Sequence, residues 1–399
     1  MFPCVRVLSN GNADCGLVVG DIEGEVECMN KSLAFFVIVA VLGSMSSPAQ
    51  EKAPEVAQPT VGADGTVHVP AMSIPPSSYM SEEAKQAFAK RPGGALEDFD
   101  WDAVKKLSPD QQAAKTRELV DNWARPWVEQ SKAVYPVNIR EQEIAGVRTD
   151  IIEPKQGVLA RNRERVLISL HGGGYFYFAG GLARLIEALP IAGYGKIKVV
   201  SVDYRESPKY KFPAATEDAV AVYRELLKSY KPKNIGIYGC STGAHLTSSV
   251  IVWLQKNKLP LPGAIGLFCQ GATNDDIEEG DSHFAGAALM GEKIPAANEF
   301  SMNEPYMAGT DPKDPLVVPV VSLNVLSKFP PTLFISGTRD TMLSSVLYSH
   351  SRLIKAGAEA DLHVWDGMWH AFWFNVDLPE SKDAYDVMAR FFDRYLGQK

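Results

Sequence analysis

Short apolar runs recur along the second half of the chain, and each is bounded by polar or turn-forming residues. They lie at 165–170, 197–205, 234–238 and 330–337, and a last strand is predicted at 360–367. Apolar runs of this length, bounded by turn signals, are typical of buried strands. A segment with apolar residues at helical spacing, 216–230, separates two of these runs. The alternation predicts an α/β fold, with a mostly parallel central sheet and helices on both faces.

Other patterns predict the elements that flank this sheet. Residues 143–152 have the alternation of a hairpin, with Gly146 at its turn. Ser81, followed by two glutamates, and Ser108, followed by Pro109, are helix-start signals. We therefore expect a helical segment over 77–135. A C-terminal helix over 381–395 is better explained by packing on the sheet than by a dimer contact, although a homodimer stays open.

The apolar run at 234–238 leads directly into a G-x-S-x-G motif in which Ser241 lies between Gly239 and Gly243. A serine that acts as a nucleophile must be lifted out of the sheet on a strained turn. Glycines on both sides let the strand and the next helix approach each other. Glycine and serine are also common turn residues, so the motif has a purely structural alternative. Other groups at the same edge of the sheet have to decide between the two interpretations.

A second motif, H-G-G-G at 171–174, follows the strand predicted at 165–170. Consecutive glycines at a strand end expose backbone N–H groups, and such groups stabilise the negatively charged oxygen of a tetrahedral intermediate. The alternative is a phosphate-binding loop, but the sequence lacks both G-x-G-x-x-G and the G-K-[ST] ending. Because parallel strands end at the same edge, we expect this loop and Ser241 to lie close together.

Asp340 and His370 follow the last two predicted strands. Ser241, Asp340 and His370 therefore have the chain order of an α/β-hydrolase triad. His370 would take the proton of Ser241, and Asp340 would fix the imidazole tautomer and stabilise its charged form. We assign structural or surface roles to the other candidates at this edge, which are Asp366, His245 and His363.

With these motifs in order, residues 140–397 resemble the hormone-sensitive-lipase-like esterases of the α/β-hydrolase superfamily. About seventy residues separate H-G-G-G from G-x-S-x-G, as in that group, and V-D-Y-R, F-P-A-A and G-T-R-D segments match as well. The resemblance implies a serine carboxylesterase that acts through an acyl-enzyme, with an N-terminal helical cap. It implies the following site: Ser241 as nucleophile, Asp340 and His370 as its partners, and an oxyanion hole formed by the N–H groups of Gly173, Gly174 and Thr242.

The chain departs from the family beside the nucleophile. Cys240 stands where the family has an acidic or small polar residue, and Thr242 stands where it has alanine. A backbone donor does not depend on its side chain, so we expect the oxyanion hole to be kept. We expect the Thr242 hydroxyl to narrow the pocket. Neither departure removes a reacting group.

Aromatic residues at Tyr175, Phe176 and Trp373 are expected to flank the site and make it apolar. They favour short- or medium-chain acyl esters. A lactonase or an arylformamidase-like amidase would use the same triad, and a non-catalytic binding protein on this fold is the alternative from another class. We expect no cofactor and no metal, because the five cysteines include no C-x-x-C pair and no Cys/His spacing suited to zinc. Whether Cys240 and Cys269 pair stays open.

The N-terminal region has the pattern of a secretory signal peptide over 29–49, with a charged start, a short apolar core and a small-residue tail. We therefore expect a secreted or periplasmic protein with no stable membrane span once the signal is removed, although an uncleaved anchor or an apolar hairpin is an alternative. Residues 1–28 are acidic and predict a misassigned or disordered extension, with translation starting at Met29. A Pro/Ala-rich linker is predicted at 50–76 and the catalytic domain at 136–399. A net charge of −8 argues against a nucleic-acid partner.

Overall fold

The computed structural model describes residues 58–90, 103–104, 106–176, 181–273, 280–293 and 304–397. The chain divides into two compact units, Met1–Met72 and Ser73–Lys399. In the first unit, strands β1 (Thr60–Val61) and β2 (Val67–His68) pair antiparallel. Asp64 accepts hydrogen bonds from the N–H and the hydroxyl of Thr66 and closes this turn. The linker predicted over 50–76 thus contains a hairpin, and the predictions on residues 1–57 lie outside the described residues.

The second unit is built on an eight-stranded sheet in the order β10-β9-β8-β7-β5-β6-β4-β3. Its strands are β3 (Val137–Ile144), β4 (Val147–Pro154), β5 (Val166–Leu170), β6 (Lys198–Val202), β7 (Ile235–Cys240), β8 (Ala264–Phe268), β9 (Thr332–Gly337) and β10 (Ala360–Trp365). β3 and β4 form the predicted antiparallel hairpin, and the strands from β6 to β10 run parallel to β5. The mostly parallel sheet is therefore confirmed.

The helices of the described residues are α1 (Glu82–Lys90), α2 (Pro109–Val134), α3 (Ala183–Gly195), α4 (Ala214–Leu226), α5 (Thr242–Lys256), α6 (Asp281–Met290), α7 (Glu304–Met307), α8 (Leu323–Leu326), α9 (Leu343–Ala356) and α10 (Pro379–Tyr395). The two predicted helix starts are confirmed. The Ser81 hydroxyl accepts the N–H of Ala84, and Ser108 forms a reciprocal capping box with Gln111. Among these helices, none combines the length and the apolar composition that a membrane crossing requires.

Alternate residues of β5 enter two separate apolar cores, because successive side chains of a strand point to opposite faces. Ile168 and Leu170 lie in one core with residues of α4, α5 and α9. Leu167 lies in the other, together with residues of α2, α3 and α10. In this second core Phe391 and Phe392 are buried, which confirms that the C-terminal helix packs on the sheet. Helices on both faces leave the carboxyl edge of the sheet as the place where loops converge.

Candidate active site

Ser241 lies on a sharp turn between β7 and α5 and has a φ of 55°. This left-handed conformation is strained for a residue with a side chain and is a feature of nucleophile elbows. Cβ atoms at Gly239 and Gly243 would lie 2.3 Å and 1.9 Å from the carbonyl oxygen of Leu170. Only glycine at both positions lets the elbow pack against the end of β5, as the motif predicts.

Asp340 and His370 form a hydrogen-bonded pair at the ends of β9 and β10. Nδ1 of His370 lies 2.8 Å from Oδ1 of Asp340. Asp340 is fully buried and also accepts hydrogen bonds from the Ser336 hydroxyl at 2.8 Å and the Met342 N–H at 2.9 Å. The His370 side chain keeps 36% of its surface exposed. The carboxylate therefore holds one imidazole nitrogen and leaves the ring accessible to a reacting group.

The electrostatics of this pair favour its ion-paired form. Burial acts to raise the pKa of Asp340, but the charge of His370 and the hydrogen bonds from His370 and Met342 outweigh it and hold the pKa below its usual value. Burial acts to lower the pKa of His370, whereas the charge of Asp340 and its hydrogen bond raise it well above its usual value. The pair thus favours an ionised aspartate beside a charged imidazole, which is the form that the histidine reaches once it has taken a proton.

The structure brings the three predicted triad residues to one edge of the sheet. β9 and β10 are neighbours, and only β8 separates β9 from β7. The N–H of Ser241 donates to the carbonyl of Phe268 at the end of β8 at 2.8 Å, and the N–H of Cys269 donates to Ile335 on β9 at 2.7 Å. Backbone hydrogen bonds across β8 therefore connect the strand that precedes Ser241 to the strand that precedes Asp340.

The predicted oxyanion loop lies beside Ser241. A Cβ atom at Gly172 would come within 3.1 Å of the Ser241 Cβ. Gly173 and Gly174 have φ values of 104° and 64°, so the loop uses a conformation that favours glycine. The N–H of Gly174 donates to the Thr242 hydroxyl at 3.1 Å. The Thr242 side chain thus binds one of the predicted oxyanion donors directly.

Two of the three aromatic residues predicted to flank the substrate lie in the interior instead. Tyr175 is 1% exposed, stacks on Tyr306 with ring centroids 4.3 Å apart, and pairs its hydroxyl with His245. Trp373 is fully buried and packs edge-on against Phe268. The left-handed backbone at Tyr175 and at Ala371, just before Trp373, turns these residues away from the direction that a regular extension of their strands would give. Phe176 is half-buried, and its predicted place in the pocket stays a prediction.

The residues assigned structural or surface roles have them. His245 is buried, with Nδ1 against the Tyr175 hydroxyl at 2.8 Å and Nε2 against the Val317 carbonyl at 2.7 Å. Asp366 accepts hydrogen bonds from the Thr338 and Ser77 hydroxyls and fastens the turn after β10. His363 is exposed on β10. None of these three replaces Asp340 or His370 in the hydrogen-bonded pair.

The predicted N-terminal helical segment contacts the two loops that carry Asp340 and His370. Arg339 donates to the carbonyl of Pro75 at 3.1 Å and places its guanidinium 4.6 Å from the ring of Phe88 on α1. The rings of Phe88 and Trp369 lie 5.8 Å apart, and both side chains are half-buried. An aromatic pair therefore includes the residue that precedes His370 in the chain, and the sequence did not reveal this pair.

Cys269 is a further residue of this edge that sequence reasoning left without a role. It has a φ of 56°, and its sulfur accepts the N–H of Ala371 at 3.0 Å. Cys240 and Cys269 are free, buried thiols. Burial raises the pKa of Cys240 to about 11 and also raises that of Cys269 well above its usual value. Both thiols are therefore protonated at neutral pH, and they are not joined in a disulfide.

Among the described residues, Cys269, Asp340 and His370 bring donor atoms within 4.8 Å of one another. Thiolate, carboxylate and imidazole are ligands that zinc accepts. The hydrogen bond between His370 Nδ1 and Asp340 Oδ1 uses the same groups, however. A cation at this place and a working Asp340–His370 pair therefore exclude each other.

Comparison with known proteins identifies the family of this chain. The family described as alpha/beta hydrolase fold matches residues 167–374. An acetyl-hydrolase of Streptomyces hygroscopicus is 32% identical over 241 residues, which cover 60% of this chain and 79% of the relative. An esterase of Acinetobacter venetianus is 26% identical over 283 residues, which cover 68% of this chain and 89% of the relative.

Solved structures give the same result. The crystal structure of an esterase E25 superposes with a TM-score of 0.72 at 28% identity, covering 82% of this chain and 98% of that one. An esterase from the bacterial hormone-sensitive lipase family superposes with a TM-score of 0.63 at 26% identity, covering 79% and 99%. Since both sequence and fold agree, the chain belongs to the α/β-hydrolase family, among the esterases related to hormone-sensitive lipase, and is a carboxylic ester hydrolase.

Proposed function

We propose that this carboxylesterase hydrolyses short-chain acyl esters, acetyl esters above all, with Ser241 as its nucleophile. The observation that carries the assignment is the 2.8 Å pair of Asp340 and His370 at the sheet edge where Ser241 stands on its strained elbow. No other histidine of the described residues combines a carboxylate partner at this distance with a position at that edge.

In this mechanism His370 takes the hydroxyl proton of Ser241 while the serine oxygen attacks the acyl carbon. Backbone N–H groups of Gly173 and Thr242 stabilise the resulting oxyanion, and the N–H of Gly174 joins them when it leaves the Thr242 hydroxyl. His370 then gives the proton to the departing alcohol. Water, activated by the same histidine, attacks the acyl-enzyme and releases the acid.

The acyl preference is supported by two observations. One relative is named an acetyl-hydrolase. In addition, Trp369 precedes His370 in the chain and pairs its half-buried ring with that of Phe88, and Phe176 follows the loop that carries the proposed oxyanion donors. Aromatic residues that adjoin both motifs in the chain favour a compact apolar site over a long acyl channel.

The test compares the wild type with Ser241→Ala on p-nitrophenyl acetate, butyrate and dodecanoate. Ser229→Ala, on an exposed serine after α4, is the matched control. We expect Ser241→Ala to lose at least about 10³-fold in kcat with its circular dichroism unchanged. Ser229→Ala should keep the wild-type rate. Retained activity in Ser241→Ala would overturn the nucleophile, and the highest kcat/KM on dodecanoate would overturn the acyl preference.

Lactones and N-formyl aryl amides belong in the same assay, since the triad chemistry extends to both. We expect kcat/KM for p-nitrophenyl acetate to exceed both. A higher kcat/KM for a lactone or for an N-formyl aryl amide would assign the enzyme to that substrate class instead.

Export is part of the proposal and is supported by the signal-like pattern over 29–49. Cell fractionation followed by N-terminal sequencing of the recovered protein tests it. We expect the extracytoplasmic fraction to contain protein that begins close to Gln50. Protein found in the cytoplasm with residues 29–49 intact would contradict export.

A further inference from the structure

Glu187 is a carboxyl group in an unexpected place. It lies on α3, which packs in the second core, and it is 1% exposed. Its Oε1 accepts the N–H of Gly172 at 2.9 Å, and its Oε2 accepts the N–H of Cys240 at 3.2 Å. One carboxyl group therefore binds both the first glycine of the oxyanion loop and the residue that precedes Ser241.

These two N–H groups lie where neighbouring strands separate. β5 and β7 are paired up to Leu170 and Gly239. Beyond that pair, the segment after β5 enters the glycine loop and the segment after β7 enters the nucleophile elbow. Backbone donors that leave a ladder inside a protein need another acceptor. Glu187 supplies that acceptor to both segments at once.

The packing around Gly172 shows how closely the glycine loop lies against the nucleophile elbow. A Cβ atom there would lie 2.9 Å from the Cys240 carbonyl oxygen, 3.1 Å from the Ser241 Cβ and 3.5 Å from Oε1 of Glu187. Little space is left between the loop and the elbow. A change in the position of Glu187 would therefore alter the distance between the loop and the elbow.

A carboxyl group at this depth is costly for the fold. Burial raises the pKa of Glu187 to about 8, although the N–H groups of Gly172 and Cys240 act to lower it. An apolar residue would avoid this cost but would leave two buried donors without an acceptor. The oxyanion hole is sensitive to such a loss, because its donors must lie about 2.7–3.1 Å from the developing oxyanion.

We propose that Glu187 is a positioning residue for the esterase reaction, which fixes the oxyanion loop relative to Ser241 by accepting the N–H groups of Gly172 and Cys240. The inference rests on the proposed function of Ser241. It assigns Glu187 no contact with substrate and no proton transfer. Its effect is expected in the transition state, where the oxyanion forms, rather than in substrate binding.

The experiment uses Glu187→Gln, which keeps the size and one acceptor oxygen, and Glu187→Leu, which keeps neither acceptor. Glu380→Gln is the matched control, because Glu380 is also buried and accepts the N–H and hydroxyl of Ser81 at 2.7 Å and 2.9 Å. For each full-length variant we measure kcat and KM on p-nitrophenyl acetate, the melting temperature, and the inhibition constant of an alkyl trifluoromethyl ketone. This ketone forms a tetrahedral adduct that carries the oxyanion.

We expect Glu187→Gln to lower kcat about tenfold and Glu187→Leu about 100-fold, with KM within about twofold of the wild type. The inhibition constant should rise in parallel with the loss of kcat. Glu380→Gln should change the melting temperature without changing the inhibition constant. If Glu187→Leu does not fold, Glu187→Gln decides by the same comparison.

An unchanged inhibition constant in Glu187→Gln, or a loss confined to KM, would overturn the positioning role. Equal effects on kcat and on the inhibition constant in Glu187→Gln and Glu380→Gln would do the same. Labelling of the wild type and of Ser241→Ala with a fluorophosphonate tests the nucleophile separately. Failure of the proposed function and failure of the Glu187 inference are therefore distinguishable.

Discussion

Replacing Gly243 with alanine should disable the site by moving its backbone rather than by removing a reacting group. A Cβ atom at Gly243 would lie 1.9 Å from the Leu170 carbonyl oxygen and 2.6 Å from that of His171. Real Cβ atoms essentially never approach within 3.0 Å, so helix and strand would have to separate by about 1.1 Å. The opposing atoms belong to the backbone, and no rotamer change relieves the contact.

The separation falls at the oxyanion hole. Leu170 ends β5 immediately before the glycine loop, and Gly243 follows Thr242 in the first turn of α5. Moving these elements apart widens the distance between the donors on the loop and the donor at Thr242. A misplacement of about 1 Å in an active site costs on the order of 100-fold in rate. We therefore expect kcat/KM of Gly243→Ala to fall about 100-fold.

Gly195→Ala is the control, because its Cβ would meet only the Ile197 Cγ2 at the ordinary distance of 3.4 Å. Both variants are assayed on p-nitrophenyl acetate, and circular dichroism and thermal melting confirm that each is folded. Gly195→Ala should stay close to the wild-type rate. A folded Gly243→Ala whose kcat/KM lies within about threefold of the wild type would refute the reasoning on the elbow.

Three further predictions concern the groups around the serine. Asp340→Asn removes the charge that raises the pKa of His370. The acidic limb of the kcat/KM profile should therefore shift to lower pH, and the maximum should fall about 10³- to 10⁴-fold. An acidic limb at the wild-type pH would contradict this prediction. Thr242→Val frees the Gly174 N–H from the Thr242 hydroxyl and should raise kcat about fivefold. Thr242→Ser keeps the hydroxyl and should match the wild type. Equal kcat in the wild type and both variants would count against Gly174 as an oxyanion donor. Prolonged EDTA treatment should leave kcat unchanged, because no proposed step uses a metal; a loss of rate that Zn²⁺ restores would disprove this.

The place of the three proposed triad residues at one edge of the sheet could be predicted because their signals are local. Ser241, Asp340 and His370 each lie only a few residues beyond the carboxyl end of a parallel strand, and parallel strands bring these ends to one edge whatever the intervening loops do. The glycines beside Ser241 have a steric reason that the sequence motif already states. Strand β8 was not distinguished in advance, although its end supplies the carbonyl of Phe268 to the nucleophile's N–H.

The residues that the sequence did not reveal act over long separations or through unusual backbone conformations. Glu187 binds backbone groups 15 and 53 residues away, and no spacing rule connects these positions. Its only local signal is a single glutamate in a nearly continuous apolar stretch of α3. Tyr175 and Trp373 were expected at the pocket because they adjoin catalytic motifs. Left-handed residues at 175 and 371 redirect the chain there, and side-chain alternation no longer applies.

The contacts of the segment before and within α1 constrain how this esterase can be engineered. Pro75 receives a hydrogen bond from Arg339, Ser77 donates one to Asp366, and Phe88 packs against Trp369. The same stretch of chain thus contacts both the loop that carries Asp340 and the loop that carries His370. Grafting this stretch from a relative would introduce contacts chosen for other loops. Chimeras should therefore exchange residues 75–88 together with 338–340 and 366–370, as one transferable block.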